Sequence, residues 1–344
     1  ARTTYLASRS PADALRAIPR QKWLRLAGQM LREGAGFAKD VAICLPAATR
    51  LVAYARQHRM QHIHVHSCGR AALVAAFAKR MGGPDYSVTL HGPLSDYGPG
   101  QRIKWQDARF ATVITRKLMG EIEAELGPHL PGDIRLRPMG VDTEALKRTA
   151  PYMPAQQGEP LRIFSCARLN IVKGHQDLMQ ATRHLLDRGV DVRVEIAGED
   201  DAGGTGFRAE LETRLKELHL QNHVTLLGAI DADTVRAKLL DAHLFVLASW
   251  HEPLGVAYME AMSCEVPTIG TASGGVPEMI TSGETAILVP PKSPDALADA
   301  IADLARDPDT ARRLSTAGRD HIIANYRSAL GAETLIDAIW GTAD

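Results

Sequence analysis

The feature that most restricts this chain is a regular beat of strand and helix beginning at Leu161. Leu161–Cys166, Val192–Ala197, Val224–Leu227, Leu244–Leu247, Val266–Gly270 and Ala286–Val289 are short β-rich runs whose starts lie 31, 32, 20, 22 and 20 residues apart. Between them, His175–Asp187 and Ala296–Arg306 repeat apolar residues at the 3.6-residue period of an amphipathic helix. Apolar strands alternating with helices predict a parallel sheet covered on both faces. The first half follows the same style less regularly. His62–His66, Tyr86–Leu90 and Thr112–Thr115 read as strands, with Arg70–Met81 and Lys117–Leu126 as helices, and Arg135–Pro138 leads to Gly140-Val141-Asp142. Thr3–Leu6 also reads as a strand. Pro151, Pro154, Gly158 and Pro160 give 143–160 the composition of a linker. The expectation is an α/β chain of two doubly wound units, 1–142 and 161–344, joined through 143–160.

Composition narrows the function classes. At 344 residues and 45% apolar the chain can bury a sizeable core. Its longest apolar runs, such as Ala71–Ala78, fall far short of the roughly 20 residues that cross a bilayer. Forty Lys and Arg balance forty Asp and Glu, so net charge calls for no nucleic-acid partner. Cys44, Cys68, Cys166 and Cys264 are scattered, without a C-x-x-C pair. That fits a reducing compartment and speaks against a disulfide framework or a cysteine-rich zinc site. No signal peptide is legible, so a cytoplasmic location is expected. The chain opens on Ala1 rather than Met, and further residues are expected before it. Charge is uneven: residues 1–60 hold eleven Lys/Arg against three Asp/Glu. Either this segment meets something anionic, or it is a solvated basic face.

Ligands of open parallel sheets bind beyond the carboxyl ends of the strands, so the polar residues that follow strands are the candidates. Arg168 and Lys173 follow Leu161–Cys166, and Gly174 opens the next helix. A guanidinium fork, a mobile ammonium and free helix N–H groups together suit phosphate; a solvated loop is the alternative. Glu252 and Glu260 follow Leu244–Leu247 in Ser249-Trp-His-Glu-Pro-Leu-Gly-Val-Ala-Tyr-Met-Glu260. One acid in the loop and one on the helix suit the two sides of a hydroxylated ligand. Gly274 and Gly275, followed by Val-Pro-Glu278, allow close backbone approach after Val266–Gly270. His91 ends Tyr86–Leu90. His62, His64 and His66 alternate on one strand face, but no acid or cysteine of ligand spacing accompanies them, so no metal is expected. His66, at the strand's end, is the one most suited to a cleft.

Together these residues resemble glycosyltransferase family 4, retaining enzymes of the GT-B fold. The signs run in order: Ala167-Arg168-Leu169…Lys173-Gly174, Ala197-Gly198, Leu226-Leu227-Gly228, Glu252-x7-Glu260-Ala-Met, Gly274-Gly275-Val-Pro-Glu278 and Gly318…Tyr326. Thr89-Leu90-His91-Gly92 and Met139-Gly140-Val141-Asp142 match in the first half. The likeness is close over 161–326, looser over 62–142 and slight over 1–60. The family's opening strand and glycine-rich loop do not appear, and Glu265 stands where glycine is usual.

The resemblance implies two Rossmann-like domains facing across a cleft, with the last helix returning to the first. It implies a nucleotide-sugar donor, UDP-sugar favoured over GDP-mannose, and no metal or other cofactor. Arg168 and Lys173 would hold the diphosphate, Glu252 the sugar hydroxyls and Glu260 the ribose. Leu254, Gly255 and Val256 would offer backbone groups, Gly228, Ala229 and Ile230 would flank the base, and His91 would lie near the reacting sugar. The implied acceptor is a glycan or lipid-linked oligosaccharide of exopolysaccharide synthesis. A nucleotide-sugar epimerase or hydrolase of the same fold, and a non-catalytic binding module, are the alternatives. No strand leads into G-x-G-x-x-G, which speaks against a dehydrogenase. Residues 22–33 would form a helix with Lys22, Arg25, Gln29 and Arg32 on one face and Trp23, Leu24, Ala27, Met30 and Leu31 on the other. With Arg16, Arg20 and Lys39 nearby, residues 16–39 suit an anionic membrane at the inner face of the cell; a core-facing apolar stripe is the alternative.

Overall fold

A computed structural model describes residues 3–6, 12–13, 23–200, 204 and 206–341. The chain divides into two compact units, Ala1–Pro138 with Thr334–Asp344, and Met139–Glu333.

The first unit carries a parallel sheet of β1 (His62–His66), β2 (Asp85–Leu90), β3 (Ala111–Val113) and β4 (Ile134–Leu136), in that order. β2 is buried along most of its length because helices cover it. Helix Arg70–Arg80 packs Ala72, Leu73, Ala75 and Ala76 into the core. Against it lies helix Trp23–Gln57, which buries Phe37, Val41, Ala48 and Val52. That helix breaks at Gly34, whose φ of 82° and ψ of −173° end one hydrogen-bonded ladder and start another. Thr115 was expected at the end of a strand but caps helix Arg116–Leu126, its hydroxyl accepting Leu118 N–H at 3.3 Å. Thr3–Leu6 joins no strand among the described residues, since its alternation finds no neighbouring ladder.

The second unit carries six parallel strands, β5 (Leu161–Cys166), β6 (Val192–Ala197), β7 (Val224–Gly228), β8 (Leu244–Val246), β9 (Thr268–Thr271) and β10 (Ile287–Val289). Their spatial order is β10-β9-β8-β5-β6-β7. After β7 the chain returns to the other side of β5, so strand order reverses between β5 and β8. β9 starts later than the apolar run because Pro267 has no N–H to give a ladder.

One expectation fails here. The sheet is not apolar on both faces: on β6, Arg193 is exposed and Glu195 half-buried, with Arg162 and Thr225 beside them around a cavity of about 410 Å³. Lys238 from helix Ala232–Asp241 answers Glu195 at 2.6 Å. The helix leaves that face partly open, so β6 alternates instead of running apolar.

Residues 143–160 lie within the second unit rather than between units. Arg148 donates to Cys264 O at 2.8 Å, and Tyr152 donates to His243 O at 2.8 Å. Gly140 approaches the Tyr326 carbonyl so closely that a Cβ would lie 2.5 Å from it. Of the last helix, Ser328–Trp340, the part from Thr334 belongs to the first unit, where Arg137 donates to Thr334 Oγ1 at 2.9 Å and Arg135 to Asp337 at 2.5 Å.

Candidate active site

The strand reversal between β5 and β8 opens a crevice at their carboxyl ends, the usual ligand position in such sheets. Three loops meet there. Trp250 N–H, after β8, donates to Val172 O, after β5, at 2.7 Å. The Ser249 carbonyl accepts the hydroxyls of Thr271, the last residue of β9, and, at 3.2 Å, of Ser273 just beyond it. Gly275 N–H donates to Glu252 O at 2.9 Å.

These ties bring Lys173 and Glu252 together across 79 residues of sequence: Nζ lies 2.5 Å from Oε2, and the side chains are 13% and 12% exposed. Ser249 Oγ adds a longer contact of 3.4 Å to the same oxygen. Directly after Lys173, Gly174 adopts φ +70° as the cap of helix His175–Asp187, and a Cβ there would fall 1.9 Å from Ala248 O. Only glycine lets β5's loop come this close to β8's. The helix N-terminus so placed favours an anion. Arg168 is exposed on the same loop. Gly274, at φ +61°, packs on the Glu252 backbone, and Glu278 is exposed at the start of the short helix Val276–Met279.

The other expected donor-binding residues sit on neighbouring elements. Gly255, at φ +97°, caps helix Val256–Ser263; Leu254 is buried and Val256 half-buried. Glu260 lies on that helix, and burial raises its carboxyl above the usual carboxylate range. Gly228 ends β7 and its carbonyl accepts Gly198 N–H at 2.9 Å, with Ala229 exposed and Ile230 half-buried beyond it. Gly228–Ile230 follow β7 and Glu260 lies on helix Val256–Ser263, elements of the same unit other than the loops that carry Lys173 and Glu252.

His66 and His91 belong to the first unit, at the carboxyl ends of β1 and β2, with His66 Nδ1 3.2 Å from His91 Nε2. Burial, then the neighbouring His66, lowers the His91 pKa. His62 and His64 face hydroxyls: Ser87 Oγ lies 2.7 Å from His62 and 2.8 Å from His64, and Thr89 Oγ1 lies 2.9 Å from His64. Among the described residues no three His, Cys, Asp or Glu are grouped to hold a metal ion.

Residues 153–321 match the family model of glycosyl transferases group 1. The chain belongs to the group 1 glycosyltransferases. N-acetyl-alpha-D-glucosaminyl L-malate synthase of Bacillus anthracis is 28% identical over 297 residues, 83% of this chain and 75% of that protein. The putative colanic acid biosynthesis glycosyltransferase WcaL of Salmonella typhimurium is 30% identical over 68% of this chain, which spans only 57% of that relative. The solved structure of Anabaena Alr3699/HepE in complex with UDP and glucose superposes with a TM-score of 0.73 at 19% identity, covering 96% of each chain. At that identity the likeness is one of fold, and the fold is GT-B.

In this glycosyltransferase several supporting residues escaped the sequence reading. The Trp250 indole donates to Asp177 Oδ2 at 2.6 Å, and the Lys292 ammonium lies 4.4 Å from the ring centroid. A tryptophan three residues beyond the apolar run Leu244–Leu247 was the available signal. His175 was also missed. It is 1% exposed, and its Nε2 lies 3.2 Å from the Arg168 carbonyl. Burial drives its pKa down from 6.5 to about 4. Between those values the unfolded chain binds a proton that the folded chain refuses, so stability is lost as pH falls. From pH 7 to pH 5 this histidine should remove about 2 kcal/mol of stability. Denaturant titrations of wild type and His175→Gln at both pH values test this: the variant should lose less on acidification by that amount, and parallel losses would refute it.

Proposed function

We propose that this glycosyltransferase moves a hexose from a nucleotide sugar, UDP-sugar before GDP-mannose, to a polysaccharide or lipid-linked oligosaccharide, with retention at the anomeric carbon and without a metal. The Lys173–Glu252 pair beside the helix N-terminus carries the reading: it sets a cation for phosphate against a carboxylate for sugar hydroxyls. Lys173 and Arg168 hold the donor diphosphate and take up the negative charge that grows on it as the bond from C1 breaks. Glu252 and the backbone at Gly255–Val256 orient the sugar, Glu260 binds the ribose and Gly228–Ile230 flank the base. His91 stabilises the oxocarbenium-like sugar. The acceptor oxygen bonds to C1 on the face the diphosphate leaves, and its proton passes to a diphosphate oxygen. The name of the colanic acid relative supports an exopolysaccharide acceptor.

A melting-temperature panel of nucleotide sugars tests the donor, since a ligand present at 100 times its Kd stabilises by about 2.7 kcal/mol. A UDP-hexose should raise Tm most, labelled donor should yield a glycosylated acceptor with the donor's anomeric configuration, and EDTA should leave the rate unchanged. Epimerised free sugar, inversion, or abolition by EDTA would each refute part of the reading.

The same reading places the basic first segment on an anionic membrane. Arg16, Arg20 and Lys22 lie outside the described residues, as do the side chains of Trp23, Leu24 and Arg25. Of the expected apolar face, Leu31 is 86% exposed and Ala27 is exposed, while Leu26, off that face, is buried. Exposed leucine next to exposed Arg32 supports the surface role. Anionic vesicles should sediment the chain at low salt, and Arg16→Glu with Arg20→Glu should release it. No capture by anionic vesicles would end this part of the proposal.

A further inference from the structure

The first unit holds a cavity of about 550 Å³ between the turn before Gly34, the 94–102 loop and the end of helix Arg116–Leu126. The wall of this cavity is fixed by buried polar groups. Lys104 is 1% exposed, rare for lysine, and donates to Tyr97 O at 2.9 Å. Gln101 is 8% exposed; it donates to Gly98 O at 2.8 Å and accepts the Trp105 indole N–H at 3.2 Å. The Glu33 carboxylate accepts Gly100 N–H. Gly100 sits at φ +82°, where a Cβ would strike the Phe37 ring at 2.3 Å. Three polar side chains thus hold the backbone of one surface loop in a fixed shape, an arrangement expected of a binding loop.

The side chains facing the cavity are largely uncommitted. Arg102 is exposed and forms no ion pair among the described residues, and Arg32 bonds the Gly28 carbonyl of its own helix, at 3.3 Å. Glu125, Gln29 and Ser95 complete the polar lining, while Leu94 and Leu126 give it an apolar floor. Arg32 and Arg102 balance Glu33 and Glu125, so the walls are neutral overall. A compact polyanion would meet two carboxylates. A ring bearing hydroxyls and one carboxylate answers every group: arginine forks take the carboxylate, and carboxylates and amides take hydroxyls. The volume lies within the usual range for small-ligand sites.

We propose that this cavity binds a hexuronate unit of a glycan, its carboxylate on Arg32 and Arg102 and its hydroxyls on Glu125, Gln29 and Ser95. The loop that walls it begins three residues after His91, so the proposal rests on the reading of this chain as a transferase to glycans and makes acidic sugar a selected feature of the acceptor.

Isothermal titration of the whole chain with methyl glucuronide, methyl glucoside and inorganic phosphate tests it. The glucuronide should bind about tenfold more tightly than the glucoside, phosphate should not displace it, and Arg32→Gln with Arg102→Gln should erase the preference. Equal affinity for glucoside, displacement by phosphate, an unchanged preference in the double variant, or no glucuronide binding at millimolar concentration would each overturn the proposal. Stabilisation by nucleotide sugars, measured on the same samples, keeps the two readings apart. Glucuronide binding without any donor binding would leave the cavity assignment standing and the transferase reading refuted.

Discussion

Lys173→Ala and Glu252→Ala are each expected to lower turnover about 10²-fold or more, because taking a charge-assisted hydrogen bond out of a dry crevice costs on the order of 3 kcal/mol at the transition state. The two groups meet at 2.5 Å and are largely shielded from water. Removing one also strands the other's charge, so each single variant should melt below wild type. Lys173→Met combined with Glu252→Gln removes both charges and should recover part of that stability. Its turnover should stay as low as that of either single variant. Steady-state rates with labelled donor, read beside thermal melts, separate the effects. Wild-type turnover in either single variant, or activity that returns along with stability in the double, would mean that the pair holds the loops together and does not meet the substrate.

The largest stability effect should come from one methyl group at Gly274. At φ +61° an alanine suffers left-handed strain, and its Cβ would stand 1.9 Å from the Glu252 carbonyl oxygen and 2.7 Å from its carbon. Backbone lies on both sides of the clash, so no side chain can turn away. The carbonyl struck is also the one that accepts Gly275 N–H. Strain, the broken hydrogen bond and the displaced loop should together cost about 3 kcal/mol or more, a fall in Tm of roughly 6–12 °C. Gly189→Ala is the matched control: its φ is +78°, but nothing lies within 4 Å of the added methyl. It should lose only about 1 kcal/mol. Gly274→Ala should further weaken stabilisation by nucleotide sugar, because it moves the backbone that carries Glu252. Equal melting temperatures for the two variants would show that the loop yields freely and is not built to a fixed shape.

Most strands of both units and several of their helices were legible because they depend on short-range pattern, whereas helix Trp23–Gln57 was legible only over its first part. β1, β5 and β6, and helix His175–Asp187, begin and end where periodicity places them. Errors fall where one residue's chemistry overrides the pattern. Pro267 delays β9, and Thr115 serves a helix instead of a strand. The positions of Arg168, Lys173, Glu252 and Gly274 just after strands were equally legible, since in a parallel sheet all carboxyl ends point the same way. What no local pattern contains is the order of strands in space. β8 adds beside β5 and not beside β7, and only that choice brings Lys173 to Glu252 and Trp250 to Val172. The polar face of β6, the seating of residues 143–160 in the second unit and the buried Lys104 under the 94–102 loop are likewise products of tertiary packing. Each depends on which distant surface comes to cover a residue. Sequence by itself determined the elements and the chemical groups at their ends; the tertiary structure decided which of those groups meet, because the approach of residues far apart in the chain is set by long-range packing and not by local periodicity.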